Sequence, residues 1–278
     1  MTGAQATRSV LSAALSEGAP VRVLGEAIEL SAATRGLVGE HPDRVHLLPA
    51  ADATLVGLAV GMALGGERPV VELAGPGSLP AAFAQLTQEA AAFSGEFQAS
   101  VVVRVPVAPG ADAGLDPLLA ARGLQVVVAS SPAEAGQLLE GALAASGPVV
   151  LIEPLAALAA GPDQLEALPL GAARVLRRGD HATLLAIGDG VPAALAAADA
   201  LAAEGLSVCV VDLRSLAPLD ADTIRARVQH TGRPVLVGVP SAVLPDVVEA
   251  AFLRLESPPV RVAAGGDVPA AVRRSLDY

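Results

Sequence analysis

The residues best placed to do chemistry are carboxylates standing at the ends of apolar runs. Asp52 precedes ATLVGLAVGMAL, Glu72 stands near the end of RPVVEL (68–73), and Glu153 closes PVVLIE (148–153). An acid at the mouth of an apolar segment can hold or move a proton. In α/β proteins, ligand sites gather beyond the carboxyl ends of parallel strands. Each acid also has a plainer reading. Asp is among the best helix caps, because its side-chain oxygen accepts from the free N–H groups of the first turn. Acids at strand ends are often simply solvated. The residues alone leave both readings open for all three.

Other motifs carry less. GDG at Gly188–Gly190 follows a strand-like run and precedes a helical one. It lacks the full GxGxxG spacing and reads as a tight turn, with Asp189 as a solvated turn residue. GPG at Gly75–Gly77 has neither the glycines nor the lysine of a phosphate loop. His41, His46, His181 and His230 have no second His or Cys at metal-ligand spacing, so no zinc site is expected. Cys209 is the sole cysteine and lies inside LSVCVVDL, where a buried, inert thiol is expected.

The elements that must position these groups show in the hydropathy pattern. Continuous apolar runs at 21–26, 43–48, 68–73, 100–105, 124–129 and 148–153 alternate with helical segments at 5–17, 53–65, 79–93 and 132–145. Strands that are apolar throughout suit a parallel sheet covered on both faces. The pattern breaks around 155–180, in a stretch rich in Gly, Pro and charge that reads as a linker. It resumes with strands at 182–188, 206–213, 233–239 and 259–264 and helices at 192–205, 220–230 and 245–255. The expected fold class is α/β, with two doubly wound domains at 1–160 and 181–278 joined by a linker at 161–180.

Composition narrows the partners. With 18 basic and 29 acidic residues the net charge is −11, which argues against a nucleic-acid backbone as partner. The chain is 53% hydrophobic but only 2% aromatic, so its core must be built from Ala, Val and Leu. Its N-terminus has no signal-peptide core, and the uncharged stretch Ala53 to Gly66, 14 residues, is too short to span a bilayer. A cytoplasmic protein is the default expectation.

Several stretches in order, RVLGE, LVGLAVGMALGGERPVVEL, VVVRVP, GLQVVVASSPAEAGQLLEGAL and GPVVLIEP, resemble β subunits of the decarboxylating component of 2-oxo acid dehydrogenase complexes. LPLGAARVLRRGDHATLLAIGDG, VVDLRSLAPLDADTI, TGRPVLVG and the closing LDY extend the resemblance over almost the whole chain. It implies a transketolase-like pyrimidine-binding domain followed by a transketolase C-terminal domain. It further implies thiamine diphosphate as cofactor, an α-like subunit that holds the diphosphate and Mg²⁺, and self-association. A β-subunit Glu in this family bonds the pyrimidine ring nitrogen, and the matching position here is Asp52.

Four departures from the family pattern follow. Asp52 is one methylene shorter than Glu, a retreat of roughly 1.5 Å on standard C–C geometry. Ser78 falls where the family has a Phe that packs on the pyrimidine, so Asp52 and Ser78 are the cofactor-side candidates. The family's His-bearing loop is here VAPGADAGLDPLLAAR, shorter and without His, and the segment at 26–37 is trimmed. Two readings therefore stand side by side. One is an oxidoreductase subunit with weakened catalysis that supplies the pyrimidine side of the site. The other is a non-catalytic structural or regulatory pseudo-subunit that keeps only the fold and the dimer surfaces.

Overall fold

The apolar runs fold as strands, and the Ala/Leu segments as the helices that cover them. The computed structural model describes residues 1–49, 51–93 (Phe93 by its backbone only), 99–109, 111, 113–159, 161–162 and 164–278. They form two compact units, Met1–Leu170 and Gly171–Tyr278.

The first unit opens with α1 (Gly3–Ser16). The Thr2 hydroxyl accepts from the Gln5 N–H, and the Gln5 side chain accepts from the Thr2 N–H, so two otherwise orphaned donors are met reciprocally. There follow β1 (Val21–Gly25), α2 (Leu37–Glu40), β2 (Val45–Leu47), α3 (Asp52–Leu64), β3 (Arg68–Glu72), α4 (Leu79–Ala84), α5 (Ala91–Phe93), β4 (Val102–Val107), α6 (Asp116–Leu119), β5 (Gln125–Val128), α7 (Pro132–Ala144) and β6 (Val149–Pro154). A 3-10 turn, Pro76–Ser78, leads into α4, and a π-helical stretch, Gln85–Ala90, joins α4 to α5. The six strands are parallel, in the order β5-β6-β4-β3-β1-β2.

Period-two alternation sorts this sheet into two buried faces. Val21, Val23, Val70, Val102, Val149 and Leu151 pack with Leu11 and Leu15 of α1 and Leu138 and Leu139 of α7. The alternate positions Leu24, Val71, Val103 and Ile152 are equally buried and point the other way. On that side α3 packs against β3 and α4, burying Leu55, Val56, Ala59 and Val60. Burial on both faces is why these strands read as unbroken apolar runs.

The second unit comprises β7 (Arg174–Arg177), β8 (Ala182–Ala186), α8 (Gly190–Ala203), β9 (Val208–Asp212), β10 (Ser215–Ala217), α9 (Ala221–Thr231), β11 (Pro234–Val237), α10 (Leu244–Ala251), β12 (Val260–Val262) and α11 (Val268–Leu276). Its sheet runs β12-β11-β8-β9-β7, parallel except for β7, which is antiparallel to β9. β8, β9, β11, α8 and α11 share one core of Ala, Val and Leu. Strand β7 lies inside the stretch 161–180 that the composition marks as linker. It is a half-buried edge strand, RVLR, with two charges in four residues, so it shows no apolar run.

The GDG segment is a tight strand-to-helix turn. A Cβ at Gly190 would stand 2.2 Å from the Val237 carbonyl oxygen, so only glycine lets α8 begin this close to β11. Asp189 occupies the cap position of α8 and is half-buried rather than fully solvated. Among the described residues no helix is long and apolar enough to cross a membrane.

Candidate functional site

Strands β2 and β3 are parallel, so the helix between them, α3, begins at the carboxyl edge of the sheet. Asp52 is its first residue. The capping reading fails here. The cap position belongs to Ala51, whose backbone is extended, and no side chain caps the helix. The helix starts one residue earlier than a capping Asp52 requires. The carboxylate gains from the positive end of the helix dipole instead. Its Oδ1 is buried and has no hydrogen-bond partner. A buried acceptor left unmet costs about 1–3 kcal/mol, so Asp52 is placed as a group that lacks its donor.

Ser78 ends the 3-10 turn that follows β3 and is buried. It therefore lies at the same carboxyl edge as Asp52, and α4, which begins at the next residue, packs on α3. Gln85, which no sequence signal marked, opens the π-helical stretch, a local geometry that recurs at functional sites. Its Oε1 is also buried without a partner. A Cβ added to Gly57 of α3 would lie 3.7 Å from Gln85 Cγ, so this side chain rests on α3 little more than one turn beyond Asp52. Two unmet buried oxygens thus belong to α3 and to the segment packed upon it.

Glu72 and Glu153 are neither solvated nor aimed at the α3 side. Both are buried on the α1 and α7 face, where they flank Arg104 of β4. Arg104 Nη1 donates to Glu72 Oε2 at 2.8 Å, and Nη2 donates to Glu153 Oε2 at 2.5 Å. The Thr7 hydroxyl of α1 donates to Glu153 Oε1 at 2.9 Å. Burial opposes the charge on Arg104, but Glu153 and then Glu72 outweigh it and hold the guanidinium above its ordinary pKa. Glu72 Oε1 and Arg104 Nε remain without partners. A lone cation within the run VVVRVPV was the available signal, since a buried arginine is nearly always paired. Its partners stay hidden in the sequence because strand order, not chain order, brings them together.

The remaining candidates are held by contacts of their own. His230 Nε2 lies 2.8 Å from Asp180 Oδ1, and His181 Nδ1 accepts from the Ser207 N–H at 3.0 Å, both in the second unit. Cys209 is buried in β9, and burial pushes its thiol pKa up. Among the described residues no group of three or more His, Cys, Asp or Glu side chains is arranged to hold a metal. A cavity of about 300 Å³ opens between α1 and α7, lined by Ser9, Val10, Gln137 and Glu140 among others. It is on the sheet face opposite α3 and has no part in the Asp52 site.

Residues 1–159 match the family described as transketolase, pyrimidine binding domain, and residues 171–275 match transketolase, C-terminal domain. The pyruvate dehydrogenase E1 component subunit beta of Leifsonia xyli subsp. xyli is 39% identical over 258 residues, 85% of this chain and 76% of that protein. The subunit of the same description from Staphylococcus epidermidis is 33% identical over 295 residues, covering 96% of this chain and 91% of the relative. That of Bacillus subtilis is 33% identical over 291 residues, 95% and 90% respectively. A solved chain described as a split gene transketolase, inactive beta4 tetramer, superposes with a TM-score of 0.84 at 23% identity, covering 100% of this chain and 98% of the other. That last likeness speaks to the fold. From the domain order and the extent of identity together, this chain belongs to the family of pyruvate dehydrogenase E1 component β subunits, a transketolase pyrimidine-binding domain followed by a transketolase C-terminal domain.

Proposed function

We propose that the chain supplies the pyrimidine side of a thiamine diphosphate site in an α/β assembly acting on a 2-oxo acid, with catalysis weaker than a glutamate at position 52 would give. The observation that carries this reading is Asp52 Oδ1, a buried acceptor without a donor at the carboxyl edge of a parallel sheet. A protonated pyrimidine nitrogen is a donor of the right kind, so the residue fits the group. Asp52 would accept a hydrogen bond from that N–H at Oδ1 and orient the ring. Ser78 would border it with a small hydroxyl in place of an aromatic wall, forgoing about 0.5–1.5 kcal/mol of ring contact beyond area burial. When bound, thiamine diphosphate supplies the electron sink for decarboxylation. No imidazole stands in 107–122 to relay protons near neutral pH.

In this reading residues 1–160 form the pyrimidine-side domain and 181–278 the second domain, with 161–180 joining them and carrying β7, the edge strand of the second sheet. An α-like chain would provide the diphosphate and Mg²⁺ contacts. One surface suited to a neighbouring subunit is the outer side of α3. Leu58 and Leu64 are 46% and 45% exposed there, and a Cβ at Gly61 would meet nothing within 4 Å. Small residues beside exposed leucines let another element approach closely and bury apolar area.

The test is calorimetric titration of thiamine diphosphate with Mg²⁺ into the chain purified with its copurifying partner. Binding is expected in the wild type and should weaken at least about tenfold in Asp52→Ala, the scale of one lost charge-assisted bond. Absence of binding in the assembled complex would end this reading in favour of a non-catalytic subunit.

A further inference from the structure

A single transverse rung crosses the first sheet at the level of the buried ion cluster. Leu47 of β2 pairs with Gly25 of β1, Gly25 with Glu72 of β3, Glu72 with Arg104 of β4, and Arg104 with Leu151 of β6. Arg104 grips Glu72 at 2.8 Å and Glu153 at 2.5 Å with separate guanidinium nitrogens. Glu72 in turn lies so close to β1 that a Cβ on Gly25 would stand 2.6 Å from its carbonyl oxygen. The Gly25 carbonyl accepts from the Leu48 N–H at 3.0 Å, the first bond after β2 ends. Four residues later the chain enters α3 at Asp52, where the Leu55 N–H reaches back to the Ala51 carbonyl at 2.9 Å.

From this chain of contacts we infer that Arg104 is a positioning residue for Asp52. It sets, through Glu72 and Gly25, where Leu48 leaves the sheet on the way to α3 and hence where the carboxylate stands. The planar fork is what allows one side chain to hold two neighbouring strands at once, which an ammonium cannot do with the same geometry. Without the fork, β3 and β6 would each present a buried acid to the gap left in β4, and the rung carrying Gly25 would lose its fixed neighbour. Displacements of about 1 Å at a reacting group cost of order 100-fold in rate, so a remote clamp of this kind is worth having. What Asp52 does rests on the function proposed above; where it is held does not.

The test uses the full chain with its copurifying partner and two variants, Arg104→Lys and the isosteric Glu72→Gln. The second keeps the inference testable if the first does not fold. Amide hydrogen exchange is read at Leu48 and Leu55, near the clamp's far end. The comparison amides are Gln125 and Val149, bonded to Pro148 and Val101 at the amino edge of the same sheet. Exchange at Leu48 and Leu55 should accelerate about tenfold more than at Gln125 and Val149, the pattern of local opening on top of any global change. Thiamine diphosphate binding should weaken at least about threefold in parallel, as expected of a displaced contact. Uniform acceleration at all four amides, or none at any, overturns the inference and leaves Arg104 a structural residue only. Local acceleration with unchanged thiamine diphosphate binding overturns it as well. A wild type that binds no thiamine diphosphate removes the proposed function, and the amide pattern alone then decides whether Arg104 positions Asp52.

Discussion

Arg104 Nη2 stands 2.5 Å from Glu153 Oε2, with both side chains only 3% exposed, and its other terminal nitrogen is bound to Glu72. Two carboxylates therefore share one guanidinium inside the sheet. Removing the shared partner strands both acids in a place water does not reach. Arg104→Met should destabilise the first unit by about 3–5 kcal/mol, the scale for breaking a buried ion pair from one side. Urea unfolding followed by far-ultraviolet circular dichroism will show it. A loss below about 1 kcal/mol would mean that the triad is solvated in solution.

Lengthening the acid at position 52 should raise turnover. On the proposed function, Asp52→Glu would carry the carboxylate about 1.5 Å towards the ring, and a shift of about 1 Å at a reacting group is worth up to about 100-fold in rate. The comparison is kcat for 2-oxo acid decarboxylation by the assembled complex, wild type against variant. A variant slower than wild type would show that the site is shaped around the shorter acid.

Gly190 should tolerate no side chain. A Cβ there would lie 2.2 Å from a backbone oxygen of β11, which cannot swing aside as a side chain can. Gly190→Ala should cost at least about 1–3 kcal/mol, the range for overpacking a filled interior. The effect belongs to the second unit and should appear as a lower thermal midpoint of a transition that leaves the first unit's signal in place.

The cap of α9 carries a pH signature. The Asp220 carboxylate accepts from the Thr223 N–H at 2.9 Å, the Ala173 N–H at 2.9 Å and the Thr223 hydroxyl at 2.7 Å. Burial by itself would raise its pKa, but these bonds prevail and hold it below the ordinary value of 3.8. Because the native value is the lower one, this stabilisation is fully present above the unfolded value and is lost as pH falls through the native one. Asp220→Ala should cost about 1 kcal/mol at pH 7, the usual worth of a helix cap. The difference between wild type and variant should vanish in acid below the native pKa. A gap that persists unchanged at pH 2 would show that charge plays no part in this cap.

Cys209 should be silent toward thiol reagents until the second unit opens. Its side chain is 2% exposed, and burial raises its pKa, so the reactive thiolate is scarce on both counts. Labelling by an aromatic disulfide reagent should follow the unfolding rate and not the reagent concentration. Rapid labelling of the native chain would contradict the placement of β9 in the core.

Much of the fold was legible in the residues because parallel strands covered on both faces must be apolar throughout. RPVVEL, SVVVRV and PVVLIE announced β3, β4 and β6 within two residues at either end. Strand β7 was not, because an edge strand with one half-buried face can be built from RVLR. The site was legible only in part. Asp52 was marked by its isolation before an apolar helix, but the choice between cap and reactive acid depended on a one-residue difference in where that helix starts. Glu72 and Glu153 were visible as acids but not as a pair, since 81 residues separate them in the chain (153 − 72) and only the order β3-β4-β6 puts one cation between them. Gln85 gave no signal at all, because a π-helical turn has no compositional mark.

In the proposed assembly, the unmet oxygens of Asp52 and Gln85 would make the free chain and the completed chain two different thermodynamic species. Any partner or ligand that brings the missing donors binds the folded form alone, and so adds to the folding equilibrium by mass action. The folding stability of this polypeptide would thereby follow the supply of what completes it.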